Sequence, residues 1–290
     1  MLQWQRTQKI MLYLIRLTNG GRRRYAKSMK KHISFETGYQ GELSDKERLD
    51  YMKEVGFEGI FFMYDGSDRL RNNVEYAKSI GLEVDMLHLP FRDVNSIWLQ
   101  GPKGDEFVDR VVEGLAFAAR YHIRVGVCHL SASLTPPEPC KLGLERLERI
   151  HMAAKELGVK LCVENTRHNH FLQYFFDNYP RLDEIGFCFD FGHTNCFSHD
   201  VRSPRWPQYL TKLECVHMHD NDGERDLHAM PQEGTLDWEY LMPTVFSDHP
   251  DVPMTLEFIN STHHEEGMSE KDFINLAYRR LSRLESLIHD

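Results

Sequence analysis

Within twelve residues, the stretch HMHDNDGERDLH places His217, His219, Asp220, Asp222, Asp226 and His228. Imidazole nitrogen and carboxylate oxygen are donors that divalent cations accept together. Crowded without a cation, the same groups would repel one another or take up protons. The stretch follows an apolar run at Cys215 and Val216 that reads as a buried strand, so it leaves the sheet already loaded with ligands. That strand delivers His217, and the loop beyond it returns Asp226 and His228 over the site. The Asp-x-His spacing sets those two on one side of an extended segment, and Gly223 and Gly234 let the loop turn. His219 shares the parity of His217, so periodicity leaves both open. Asp220 and Asp222 read as groups that orient the loop or the ligands from behind.

The same residue types recur wherever an apolar run ends: His88, His129, Glu164, Asp190 and His193, then Glu257 late in the last run. A single strand histidine is usually a hydrogen-bonded core residue. Buried carboxylates are rarer, because removing the charge from water carries a large penalty. Six runs that end in His, Asp or Glu predict one shared metal site, provided the fold brings those ends together.

The elements that must do so alternate along the chain. Apolar runs at 32–38, 59–64, 83–90, 124–131, 160–166, 185–193, 215–221 and 253–259 read as strands buried on both faces, as in a parallel sheet. Amphipathic segments separate them. The first opens on a capping box, Ser44 with Glu47, and stops at Gly56. The second ends at Gly81, and the third carries Phe107, Val111, Leu115 and Ala118 on one stripe. Five more follow near 140–157, 171–181, 204–213, 237–247 and 269–288. Eight strand–helix units at this length predict a closed α/β (β/α)8 TIM barrel, whose strand C-termini form one mouth.

Composition narrows the function. The chain has 290 residues, 41% hydrophobic and 27% charged, with no apolar run long enough for a membrane helix. Its net charge of −9 argues against nucleic acid as a partner, since phosphate binding needs a basic footprint. The six cysteines show no CxxC pair or framework spacing and read as buried reduced thiols, which points to the cytoplasm. Residues 1–31 hold nine Lys or Arg and no acid, leaving 26 basic against 44 acidic residues in the rest. They read as a poorly ordered basic extension ahead of a barrel spanning 32–290, with the fold starting near Met29.

The stretches CVENT, FDFGHTN, VHMHDND, DLHAMPQEGTLDW and TLEF resemble the xylose isomerase-like TIM-barrel superfamily. That superfamily holds sugar-phosphate isomerases and epimerases, inosose dehydratases and the DNA-repair enzyme endonuclease IV. The resemblance implies a metal quartet of Glu164, Asp190, His217 and Glu257, which favours His217 over His219. The endonuclease IV branch implies further ligands at His88, His129, His193, Asp226 and His228, enough for three ions. Ketose 3-epimerases carry a second acid six residues beyond the strand-5 glutamate; here that position is His170. Their substrate-holding arginine beyond the strand-7 histidine falls on Gly223, with Arg225 nearby. Both departures count against a ketose 3-epimerase.

Two chemistries are expected. The first is a metal-dependent isomerase, epimerase or related lyase acting on a sugar, sugar phosphate or keto-polyol. Glu164 and Glu257 would move the proton through a metal-stabilised enediolate, with His193 and Trp98 binding substrate. The second is a phosphoesterase or abasic-site endonuclease using several Zn2+ ions. One to three ions of Zn, Mn, Mg or Co fit the ligand types. Arg92, Lys103, Arg167, Arg202 and Arg205 read as solvated loop charges, as do His263 and His264. A homo-oligomer is compatible with all of this.

Overall fold

The computed structural model describes residues 28–39, 42–196, 199–259 and 267–288. Eight parallel strands lie in the order β7-β6-β5-β4-β3-β2-β1-β8. They are β1 Lys31–Ser34, β2 Gly59–Met63, β3 Met86–His88, β4 Val125–His129, β5 Lys160–Glu164, β6 Gly186–Asp190, β7 Leu213–His217 and β8 Met254–Leu256. Each neighbouring pair is parallel, and the bridge between Met218 and Leu256 joins the two ends. This is the expected (β/α)8 barrel.

Helices connect the strands: α1 Asp45–Val55, α2 Asp68–Ser79, α3 Lys103–Arg120, α4 Lys141–Glu156, α5 Asn169–Asn178, α6 Phe191–Asn195, α7 Trp206–Leu210, α8 Trp238–Phe246 and α9 Glu270–Ser286. The capping box forms as its sequence predicts. The Ser44 hydroxyl accepts from the Glu47 amide at 3.3 Å, and Glu47 Oε2 accepts from the Ser44 amide at 2.9 Å. Phe107, Val111, Leu115 and Ala118 all face the barrel and are buried. Among the described residues, no helix is long and apolar enough to cross a membrane.

Every strand is shorter than the apolar run that predicts it, and two of the strand ends shape the site. The sixth run stops at Asp190, not His193. The Asp190 carboxylate accepts from the His193 amide at 2.6 Å, so it caps α6 and turns the chain into helix. His193 therefore sits on a helical turn. The seventh run stops at His217, because Met218 crosses over to pair with β8. Met29, near which the fold is expected to start, is buried, and Lys31 opens β1. Residues 1–27 of the expected basic extension lie outside the described residues.

The barrel interior is layered. Cys162, Cys188 and Cys215 pack in one cluster with Phe61, Met86, Val125 and Val127. Glu164, Asp190 and His217 follow those three cysteines by two residues on β5, β6 and β7, so the acids and imidazole rise from the same inward face. All six cysteines are free thiols, five of them buried.

Candidate metal centre

Strand register sets the first neighbours at the mouth. His129 on β4 pairs with Glu164 on β5, and Asp190 on β6 pairs with His217 on β7. Glu257 follows β8 directly, held by its amide donating to the Met218 carbonyl at 3.0 Å. Ligand atoms of Glu164, Asp190, His217 and Glu257 all lie within 4.8 Å of one another. Three more groups meet that criterion: His88, His129 and Glu164; Glu164, Cys188 and His217; and His193, His219, Asp226 and His228. All nine ligand residues expected from the sequence thus gather at one mouth, and His219 joins them.

Glu164 is the hub. Its Oε1 lies 3.3 Å from His217 Nδ1, and its Oε2 lies 3.3 Å from His129 Nε2 and 3.6 Å from His88 Nε2. Glu257 Oε2 approaches the same His217 nitrogen at 3.2 Å. Phe61 and His88 stack near-parallel on the His217 ring, fixing its plane.

Three histidines are oriented by backbone carbonyls. His88 Nδ1 contacts the Leu89 carbonyl at 2.8 Å, His193 Nδ1 that of Asn165 at 2.9 Å, and His228 Nδ1 that of Glu257 at 3.3 Å. A carbonyl only accepts, so Nδ1 carries a hydrogen in each, and Nε2 is the nitrogen turned toward the centre. This is how metal-binding imidazoles are commonly held. The Nε2 atoms of His88 and His129 converge to 3.2 Å, while those of His193 and His228 approach Asp226 at 3.2 and 3.3 Å.

These residues fit a cation. Both carboxylate oxygens of Glu164 and both ring nitrogens of His217 are buried without a well-formed hydrogen bond. Such orphaned groups are costly and uncommon. The electrostatics agree. Burial works against its charge, yet nearby imidazoles hold the Glu164 carboxyl well below the usual carboxylate range. Asp190 and Asp226 are lowered against the same burial. Burial likewise opposes charge on His217, but Glu257 and Glu164 push it up to about 9. His228 is raised to about 9 against its own burial, chiefly by Asp226. His129 moves the other way, because its burial outweighs the attraction of Glu164. A cluster that stabilises carboxylates and draws protons onto imidazole is one short of positive charge.

The β7–α8 loop is built around Asp220. Its carboxylate accepts from the amides of Asn221 at 2.9 Å, Gln232 at 2.9 Å and Leu236 at 3.2 Å, and from Trp238 Nε1 at 2.9 Å. Gly234 passes so close that a Cβ there would lie 2.2 Å from Asp220 Oδ1. Its part in the loop is thus close approach rather than the turn expected from sequence. Gly192 makes room in the same way. A Cβ there would overlap the His219 ring, whose Nε2 contacts Asp190 Oδ2 at 3.1 Å.

A cavity of about 330 Å3 opens over these groups, lined by His88, His129, Glu164, His193, Asp226, His228 and Glu257, among others. Arg167 also lines it, with Nη2 3.1 Å from Asp226 Oδ2. This corrects its reading as a solvated loop charge, since nothing in the local sequence distinguishes it from the other loop arginines. Trp98 is a correction in the other direction. It is 4% exposed, its indole N–H donates to the Leu130 carbonyl at 2.8 Å, and its ring packs on Phe171. Trp98 anchors its loop and presents no face to a substrate. His263 and His264 lie outside the described residues.

An uncharacterized protein of Sinorhizobium fredii, y4fM, is 25% identical over 135 residues, covering 46% of this chain. The chain spans 42% of the length of that curated relative. Among solved structures, D-psicose 3-epimerase from Clostridium cellulolyticum H10, determined with D-tagatose, superposes with a TM-score of 0.69 at 15% identity. That match covers 90% of this chain and 100% of the other. The TTHB071 protein of Thermus thermophilus, from a crystal soaked with ZnCl2, gives a TM-score of 0.62 at 21% identity, covering 89% and 98%. At these identities the structures establish the fold alone. The sequence family described as "Xylose isomerase-like TIM barrel" matches residues 49–275, most of the chain. The chain therefore belongs to the xylose isomerase-like TIM barrel family.

Proposed function

We propose that this protein is a metal-dependent isomerase or epimerase of a sugar or sugar-like keto-polyol. One observation carries the reading: Glu164 and Glu257 reach the same nitrogen of His217 from different strands and line one cavity. Two buried carboxylates facing one substrate position suit the removal and return of a carbon-bound proton. Glu164, Asp190, His217 and Glu257 would hold the cation. When bound, divalent metal supplies Lewis acidity, toward adjacent substrate oxygens here or toward phosphate-ester oxygens in the second reading below.

The chain's residues do the rest. Glu164 takes the carbon-bound proton, Glu257 delivers a proton from its own side of the cavity, and exchange with water restores both carboxyl groups. His193 turns Nε2 into the cavity beside Asp226, where it can bind a substrate hydroxyl. Arg167 adds a cation at the rim.

The test is solvent-deuterium exchange into a panel of keto-sugars by the metal-loaded protein. Glu164→Gln and Glu257→Gln should each reduce exchange by about 10²–10⁴-fold, the usual contribution of a positioned acid or base. Without metal, the melting temperature of each variant should stay near that of the metal-free parent. Near-normal exchange in both variants rules the mechanism out.

A second reading, a multinuclear phosphoesterase, draws on a specific observation. The His88–His129–Glu164 group and the His193–His219–Asp226–His228 group flank the quartet, so three ions could be held side by side. Cleavage of abasic-site DNA or of small phosphate esters, without keto-sugar exchange, would favour it.

A further inference from the structure

Beside the metal centre lies an annex that the proposed reaction does not use. It is a cavity of about 360 Å3 between the ends of β1 and β2 and the start of α2. It adjoins the site: Met63, His228 and Glu257 line both spaces. Phe35, Phe62, Leu70, Met63 and Ile259 form its apolar walls. Met63 is 41% exposed and Ile259 36%, two of the five large apolar side chains exposed among the described residues.

Three of the polar side chains in the wall, Asn73, Ser34 and Arg69, are already engaged. Asn73 Nδ2 donates to Asp45 Oδ2 at 2.8 Å, and the Ser34 hydroxyl donates to the Glu36 carbonyl at 3.0 Å. Arg69 binds both oxygens of Asp45, at 2.7 and 2.8 Å, reaches Glu36 at 3.3 Å, and stacks on Phe35. A phosphate entering here would meet a neutralised guanidinium beside the carboxylates of Glu36 and Asp65. A sugar hydroxyl would give up water for few free partners, which is unfavourable. An apolar ring would cover the exposed Met63 and Ile259 and exchange its own hydration for aromatic and aliphatic contact.

We propose that the annex is a substrate subsite for an apolar, six-membered ring, so that the substrate is a sugar or polyol bearing an aryl-type substituent rather than a bare monosaccharide. This rests on the sugar-directed reading above for the polar end of the substrate. The reacting carbons would lie between Glu164 and Glu257, and the ring would pass His228 into the annex.

Calorimetric titration of the full chain, metal-free and metal-loaded, with 4-nitrophenyl and methyl β-glycosides of glucose, galactose and xylose tests this. At least one nitrophenyl glycoside should bind about tenfold or more tighter than its methyl counterpart. Ile259→Asp should remove that preference and leave methyl-glycoside affinity within about twofold, while Ile259→Leu should restore it. Equal affinity within every pair, absence of aryl binding, or a preference insensitive to Ile259→Asp overturns the proposal. Deuterium exchange run in parallel separates the two claims. An Ile259-dependent aryl preference without exchange upholds the annex and fails the isomerase reading. Exchange into bare keto-sugars without aryl preference does the reverse.

Discussion

Asp220 lines none of the cavities described above, yet four donors converge on its carboxylate, which has no solvent exposure. Hydrogen bonds to a buried charge contribute roughly 1.5–3 kcal/mol each, and their donors are left unsatisfied when the acceptor is removed. Asp220→Ala should therefore lower unfolding free energy by roughly 3 kcal/mol or more in urea titration, and should loosen Asp226 and His228. A loss under about 0.5 kcal/mol, the usual range for surface changes, would contradict this keystone role. Single residues were legible in sequence where chemistry was at odds with location. A carboxylate such as Glu164 or Asp190 ending an apolar run needs a reason to be there. His219 was not resolved, because its parity matches that of His217; its place became clear only once Gly192 admitted its ring. Arg167 and Trp98 were misjudged for a common reason: loop residues carry no periodicity to show which way they face.

Elements were legible where local rules act alone. The Ser44 cap and the α3 stripe follow from spacing, and Ser44→Ala should cost about 1 kcal/mol. The short helix α6 was hidden, since the strand-like run continues through Phe191 while the capping carboxylate of Asp190 ends it. The start of β1 depends on a contact no local pattern shows. Lys31 Nζ meets Glu285 Oε2 of α9 at 2.5 Å, and the Met29 amide donates to Glu285 Oε1 at 2.7 Å. Partial burial raises the Glu285 pKa, but Lys31 and the Met29 amide outweigh it and leave it below the usual carboxylate value. A depressed folded pKa gives stability that is present above the unfolded value and lost as pH falls through the folded one. The stability difference between the parent and Glu285→Gln should hold at neutral pH and shrink as pH drops below about 4.5, the ordinary Glu region. Denaturant titrations at stepped pH measure it; a pH-independent difference would place the contribution elsewhere.

At the scale of the whole molecule, eight alternating units were enough to predict the barrel, and the barrel in turn predicted that ligands from His88 to Glu257 would meet. Sequence could not fix how many ions they would hold, because one set of donor types serves one cation or three. Elemental analysis after equilibrium dialysis decides it. One ion per chain supports the quartet alone, and three require the flanking groups as well. Where the ring joins was unreadable, since no local pattern shows that Met218 leaves the line of β7 to pair with β8. The ring of strands is joined between β7 and β8 at Met218, whose amide donates to the Thr255 carbonyl at 2.8 Å while its carbonyl accepts from Glu257.

That join has His217 on one bank and Glu257 on the other. Any ion shared by the two side chains would act as a suture across the cylinder, tying its last strand to its neighbour more firmly than the backbone does. Chelation should then speed hydrogen exchange at the amides of Met218 and Glu257 well before it reaches those of β4 and β5, and unfolding on heating should begin at that edge.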